Sequence, residues 1–245
     1  MIAVAGWSAA EILAVWERGA EQDWPRRGLT MLAAWPPPEK VADPATLSIG
    51  ERDAWLFQLR ARLFGNRMAC FAECPTCATA LQFDLDARQF SQGPARSDEP
   101  FEVVQADRFR VRFRPLNSDD LAVAGGAGDV AAMRGTLLDR AILEVVVDGC
   151  PARVTDLPEE AIDEIGRQLA QRDGAELLLD LQCAACGHEW QEICDILSFF
   201  WSELSRYAKR LLQEVHTLAW GYGWSESEIL SMSAARRRVY LEWVQ

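Results

Sequence analysis

Two Cys-x-x-Cys pairs, Cys74-Pro-Thr-Cys77 and Cys183-Ala-Ala-Cys186, have the spacing that lets two thiolates of one knuckle reach a single tetrahedral ion. One such pair alone is equally a redox motif. Here each pair follows an apolar approach and leads into a strand-like stretch, as the two knuckles of one zinc ribbon do. At a constant offset of 109 residues, 74–86 and 183–195 align without a gap: both cysteines coincide, Gln82 falls on Gln191, Asp86 on Asp195 and Leu81 on Trp190. The expectation is a structural Zn2+ site made of Cys74, Cys77, Cys183 and Cys186, set against two independent redox pairs or a metal site degraded in this chain. An ordinary ribbon spaces its knuckles by about 15–20 residues. The longer insertion here must bring its ends together, at an entropic cost that grows slowly with length. Structural zinc offsets this with on the order of 10 kcal/mol.

Other chemistry is sparse. A catalytic zinc keeps an open position, whereas four thiolates close the shell. Of the two histidines, His188 is read at the knuckle tip or hydrogen-bonded behind the ligands, and His216 as a packing or interface residue of a long helix. No His-Glu-x-x-His, Gly-x-Ser-x-Gly, Walker loop or deaminase pattern is present, so no enzyme activity and no small-molecule substrate are expected. Gly187 suits the tight turn after the second knuckle, and Ala78 stands at the equivalent place in the first. Cys70, Cys150 and Cys194 are left over and read as buried small hydrophobes.

The chain that must position these groups has 245 residues, 49% hydrophobic and 25% charged, enough for an ordinary buried core. Its net charge of −12 repels polyanions and argues against nucleic acid as a partner. Seven cysteines, an odd count, exclude a closed disulfide framework. Without a basic n-region or an apolar run of spanning length, no signal peptide or membrane segment is expected, and synthesis in a reducing cytoplasm follows.

Capping boxes Ser8/Glu11, Ser48/Glu51 and Ser225/Glu228 open three helices, and Ser233 caps a last one ending near Trp243. Further helices are expected over 29–35, stopped by Pro36 to Pro38, over 130–141, from an opening at Asp156, Pro158 and Glu159 to Asp173-Gly174, and from 196 to about 220. The last is the longest. Strands are expected at 81–86, 101–104, 109–114, 143–147, 152–154 and 177–181, with 91–100 as a link. Arg108, Arg110, Arg112 and Arg114 line one face of a hairpin and are read as solvated partners of the abundant acids. Arg236 to Arg238 are read as a solvated helix face, with contacts to an acidic partner surface as the alternative.

The segments GERDAWLFQLRARLFG (50–65), CPTC, LPEEAIDEIGRQLA (157–170), LLLDLQCAACGHEWQEICDILSFFWSEL (177–204) and HTLAWGYGWSESEILSMSAARRRVYLEWV (216–244) resemble the T-even-phage baseplate protein family, found with contractile tails and extracellular contractile injection systems. That resemblance implies a non-enzymatic role in building a baseplate or tail hub, with other baseplate or hub proteins as partners. It carries the knuckles over at the four cysteines and a terminal module at His216, Tyr222, Trp224, Ser225, Glu228, Arg237 and Tyr240. Aromatic side chains there suit either an ordinary small helical core or docking anchors. The expected fold is α+β: an N-terminal helical segment (1–69), a split four-cysteine zinc ribbon with an inserted α+β unit (70–195, insertion about 91–176) and a C-terminal helical arm (196–245). A zinc-ribbon nucleic-acid-binding or transcription accessory protein is the alternative.

Overall fold

In the computed structural model, residues 7–35, 43–92, 100–105, 108–174 and 177–244 are described. The prolines at 36–38, most of the 91–100 link and turn residues 106 and 107 lie outside them. The chain opens with α1 (Ala9–Ala20), whose Ser8 cap is reciprocal: the Ser8 N–H donates to the Glu11 carboxylate at 2.6 Å and the Glu11 N–H to the Ser8 hydroxyl at 3.2 Å. Helix α2 (Trp24–Ala34) begins five residues before the expected start. Asp23 caps it, and Pro25 sits in the first turn, where a missing N–H loses no helical bond. Helix α3 (Ile49–Phe64) carries the Ser48/Glu51 box and stops at Gly65, with φ 88°.

Strands β1 (Arg67–Glu73) and β2 (Ala80–Asp86) form the first hairpin. Strands β3 (Phe101–Gln105) and β4 (Phe109–Phe113) follow, then α4 (Ser118–Ala124), α5 (Val130–Ala141), β5 (Ile142–Val147) and the short β6 (Cys150–Pro151). The return strand thus begins at Cys150, directly after the Asp148-Gly149 turn, and not at 152 as expected. Helix α6 (Glu159–Asp173) leads to the second hairpin, β7 (Leu178–Gln182) with β8 (Glu189–Ile193), and then to α7 (Ile196–Tyr222), α8 (Glu226–Ser231) and α9 (Ala234–Trp243). The result is α+β, helices with small antiparallel sheets: among the described residues, two hairpins and a four-stranded sheet ordered β3-β4-β5-β6. Among the described residues no helix is long and apolar enough to cross a membrane.

One apolar cluster gathers Ile12 and Val15 of α1, Met31 and Leu32 of α2, Leu56, Leu59 and Leu63 of α3, Met68 of β1, and Leu197, Phe200 and Leu204 of α7. Within it Arg60, 2% exposed, reaches both carboxylate oxygens of Glu203 at 2.8 Å and donates to the Gly65 carbonyl at 2.6 Å, tying α3 to α7. A bidentate pair of this kind is what makes a buried guanidinium tolerable. A second cluster lies between the four-stranded sheet and α6, around Val111, Phe113, Val145, Ala161 and Ile165. The two meet where α6 ends on the start of α3. The Ile49 N–H donates to the Leu116 carbonyl at 3.0 Å and the Gly50 N–H to the Asp173 carboxylate at 3.1 Å. The approach is so close that a Cβ on residue 50 would lie 1.7 Å from the Asp173 carbonyl oxygen.

Candidate metal centre

Each cysteine pair sits at the tip of one of the two hairpins, and the 109-residue offset read from the sequence holds in three dimensions. Cys70 pairs with Phe83 as Leu179 pairs with Glu192, and Glu73 with Ala80 as Gln182 with Glu189. At the first tip the Cys74 N–H donates to the Thr79 carbonyl (3.0 Å) and the Ala78 N–H to the Cys74 carbonyl (2.9 Å). At the second, the Cys183 N–H donates to the His188 carbonyl and the Gly187 N–H to the Cys183 carbonyl, both at 2.8 Å. Both turns need a residue with positive φ at the same place: Gly187 supplies 75° freely, while Ala78 is held at 55° against its own Cβ.

The tips face each other. Cys74 and Cys183 are buried, Cys77 and Cys186 exposed, and the close approaches run between hairpins: Cys74 Sγ to Cys186 Sγ at 3.7 Å and Cys77 Sγ to Cys183 Sγ at 3.6 Å. All four sulfurs lie within 4.8 Å of one another. A disulfide needs about 2.05 Å. A tetrahedron with metal–sulfur bonds of about 2.3 Å has edges of about 3.8 Å, so the crossed spacings suit sulfurs gathered round one cation. The Thr79 hydroxyl and N–H, with the neighbouring thiols, lower the Cys77 thiol to about 6. The His188 N–H favours a Cys186 thiolate, but crowding by Cys77, Cys183 and Cys74 together with desolvation pushes that thiol up to about 12. The opposite pulls on Cys77 and Cys186 are a conflict that a cation among the four gathered sulfurs would remove, which makes the cluster a candidate metal site.

His188 supplies its backbone to the second turn, and its ring stacks on Trp190 with centroids 6.0 Å apart. Of the leftover cysteines, Cys70 is buried and Cys194 half-buried. Cys150 is exposed, contrary to expectation, because it lies in the two-residue edge strand β6. The arginine stripe is paired as anticipated: Arg108 with Asp148 (3.3 Å), Arg110 with Glu102 (3.5 Å) and Arg112 with Glu144 (3.3 Å). Arg114 turns instead to Asp120, which is fully buried and also receives Arg140 at 2.6 Å. Burial by itself would raise the Asp120 carboxyl, but the two guanidiniums and the Asn117 N–H hold it below the usual carboxylate range.

In the C-terminal arm, Tyr222 and Trp224 stack at 4.3 Å, Tyr240 meets both edge-on, and Trp243 meets Tyr240 at 5.6 Å. Glu228 closes the Ser225 cap, receiving the Ser225 N–H at 2.8 Å. Arg237 corrects the reading of a solvated basic face: it is 2% exposed, bonded to Glu214 at 3.0 Å and to the Met232 carbonyl at 2.7 Å. Its place against Glu214 of α7 is not visible from the run of three arginines. His216 is exposed on α7, outside the aromatic group.

Fold and site together define an α+β protein in which two cysteine-tipped hairpins, far apart in sequence, meet tip to tip. The chain belongs to the T4 bacteriophage base plate protein family, whose model matches residues 30–201, a span that contains both cysteine pairs and ends within α7. Comparison with curated proteins and with solved structures gives no match.

Proposed function

We propose that this family member is a non-enzymatic structural or assembly component of a contractile-tail or injection-system baseplate, and that Cys74, Cys77, Cys183 and Cys186 hold one Zn2+ as a structural staple. The observation that carries the zinc reading is the crossed gathering of four sulfurs from two hairpins within 4.8 Å. Zinc so bound has a closed shell with no position for substrate, which is why the role is structural. The chain's own residues turn that staple into orientation. The Cys194 N–H bonds the Leu177 carbonyl at 2.8 Å, and Asp195 caps α7 through the Ser198 N–H at 3.1 Å, so fixing the second hairpin fixes the start of the arm. On this reading the unit at about 91–176 is an insertion in the ribbon, and the protein is made in the cytoplasm and passes into a tail particle.

The arm (196–245) is proposed to bind other baseplate or hub proteins, with His216, Tyr222, Trp224 and Tyr240 toward the partner and Glu228 and Arg237 holding the module's shape. Arg108, Arg110 and Arg112 are each paired with an acid, which weighs against the nucleic-acid alternative at that hairpin face. Tails and assembly intermediates recovered from producing cells, with the native chain and with one lacking residues 216–245, test the role. Absence of complete baseplates when the chain is deleted, and loss of association in the truncation, are expected. Normal tails formed without the chain would overturn the component reading.

A further inference from the structure

The outer side of α7's second half carries Arg206, Lys209, Arg210, Gln213, His216 and Trp220, whose three- and four-residue spacing sets them along one face of the helix. All six are exposed, and Trp220 keeps 87% of its surface in solvent. No carboxylate lies on this stripe, since Glu214 is turned to Arg237. Among the described residues, Arg206, Lys209 and Arg210 form no ion pair: Arg206 bonds the Ser202 carbonyl at 3.4 Å, and Arg210 lies over the Tyr207 ring at 5.2 Å. Arg236 and Arg238 of α9 are also exposed and without an ion pair among those residues, while Val239 and Trp243 leave apolar surface beside them. Residues 205–245 hold six basic and four acidic side chains in a chain of net charge −12. Positive charge thus gathers on a helix face that also exposes Trp220.

Exposed cations around an aromatic anchor favour a partner of opposite charge: the charges steer and align the encounter, and the ring supplies buried area. We propose that this face of α7 docks an acidic surface of a different protein chain, with carboxylates against Arg206, Lys209 and Arg210 and an apolar side chain against Trp220. The identity of the partner rests on the component reading above. The chemistry of the face does not. A single-stranded nucleic acid needs free ring faces on which bases stack. Trp220 offers one such face, but its neighbours Tyr222 and Trp224 cover each other, with Tyr240 edge-on to both. The acidic remainder of the chain also opposes a phosphate backbone.

The test titrates the full chain with a synthetic glutamate-rich peptide carrying single leucines, and separately with polythymidylate, by calorimetry, while sedimentation reads the protein alone. Peptide binding is expected to weaken as salt is raised. It should fall about tenfold or more in Arg206→Glu/Arg210→Glu and in Trp220→Ala, with unchanged melting. Arg206→Lys/Arg210→Lys should bind like the parent. Polythymidylate binding without peptide binding, charge reversal with no effect, or a dimer that these variants dissolve would each overturn the proposal, the last by giving the face to a second copy. A chain recovered in tails that ignores the peptide sinks this proposal alone. One that binds the peptide but is absent from tails and their intermediates sinks the component reading and leaves this one standing.

Discussion

Ala78 and Gly187 do the same work at the two knuckle tips at different cost. An alanine with φ 55° pushes its Cβ toward a carbonyl, and Gly187 at 75° avoids this. Ala78→Gly is therefore expected to raise stability by about 1 kcal/mol, less the entropy that glycine adds to the unfolded chain, and Gly187→Ala to lower it by a similar amount. Urea denaturation of the two variants checks this, and a loss of stability in Ala78→Gly would mean that the turn is not strained. The four cysteines could be read from sequence because their spacing is local within each pair and repeats at a fixed offset. The inward turn of Arg237 and the exposure of Cys150 could not, since each depends on which element lies opposite.

Among elements, the joint between α6 and α3 is the place where charge and packing conflict. Asp173 is buried against the N-terminus of α3, and its Oδ1 has no hydrogen-bond partner while Oδ2 receives the Gly50 N–H. Burial raises its carboxyl, against the pull of the Ser48 hydroxyl and the Gly50 N–H, with Glu51 adding to the rise. Burial raises nearby Asp53 as well: Arg52 opposes that rise, and Asp195 and Asp173 reinforce it. A folded pKa above the unfolded value of about 3.9 means that the favourable contribution is complete below that pH and is lost as pH rises through the folded pKa. Asp173→Asn keeps an acceptor for Gly50 and removes the charge. It should be more stable than the parent at pH 7 by about 1 kcal/mol, with the difference shrinking toward pH 4. Equal stabilities at both pH values in chemical denaturation would show that the carboxylate is relieved by other means. Most helices were legible because their caps are written in a few residues: Ser8, Ser48, Ser225 and Ser233 all cap as read. Helix α4 was missed, although Asn117 and Asp120 form a capping box, because only seven residues follow before the glycines. Strand β1 was not separated from its surroundings because only Met68 and Cys70 of it are buried.

For the whole molecule, the sequence contained the parts of the joint but not its geometry. That two hairpins 109 residues apart share register and turn bonds follows from local residues in each. That they meet tip to tip, each buried cysteine beside the other hairpin's exposed one, is a property of the assembled chain. In the proposed account one metal closes a loop of about a hundred residues and sets the direction of the arm, so losing the metal should release the contact between the hairpins. X-ray absorption at the zinc edge on the purified protein, with metal content measured on the same sample, tests this most directly. One zinc per chain surrounded by four sulfurs at about 2.3 Å is the predicted result. A protein that folds and stays soluble without stoichiometric zinc, or whose zinc has oxygen or nitrogen neighbours in place of sulfur, would contradict it.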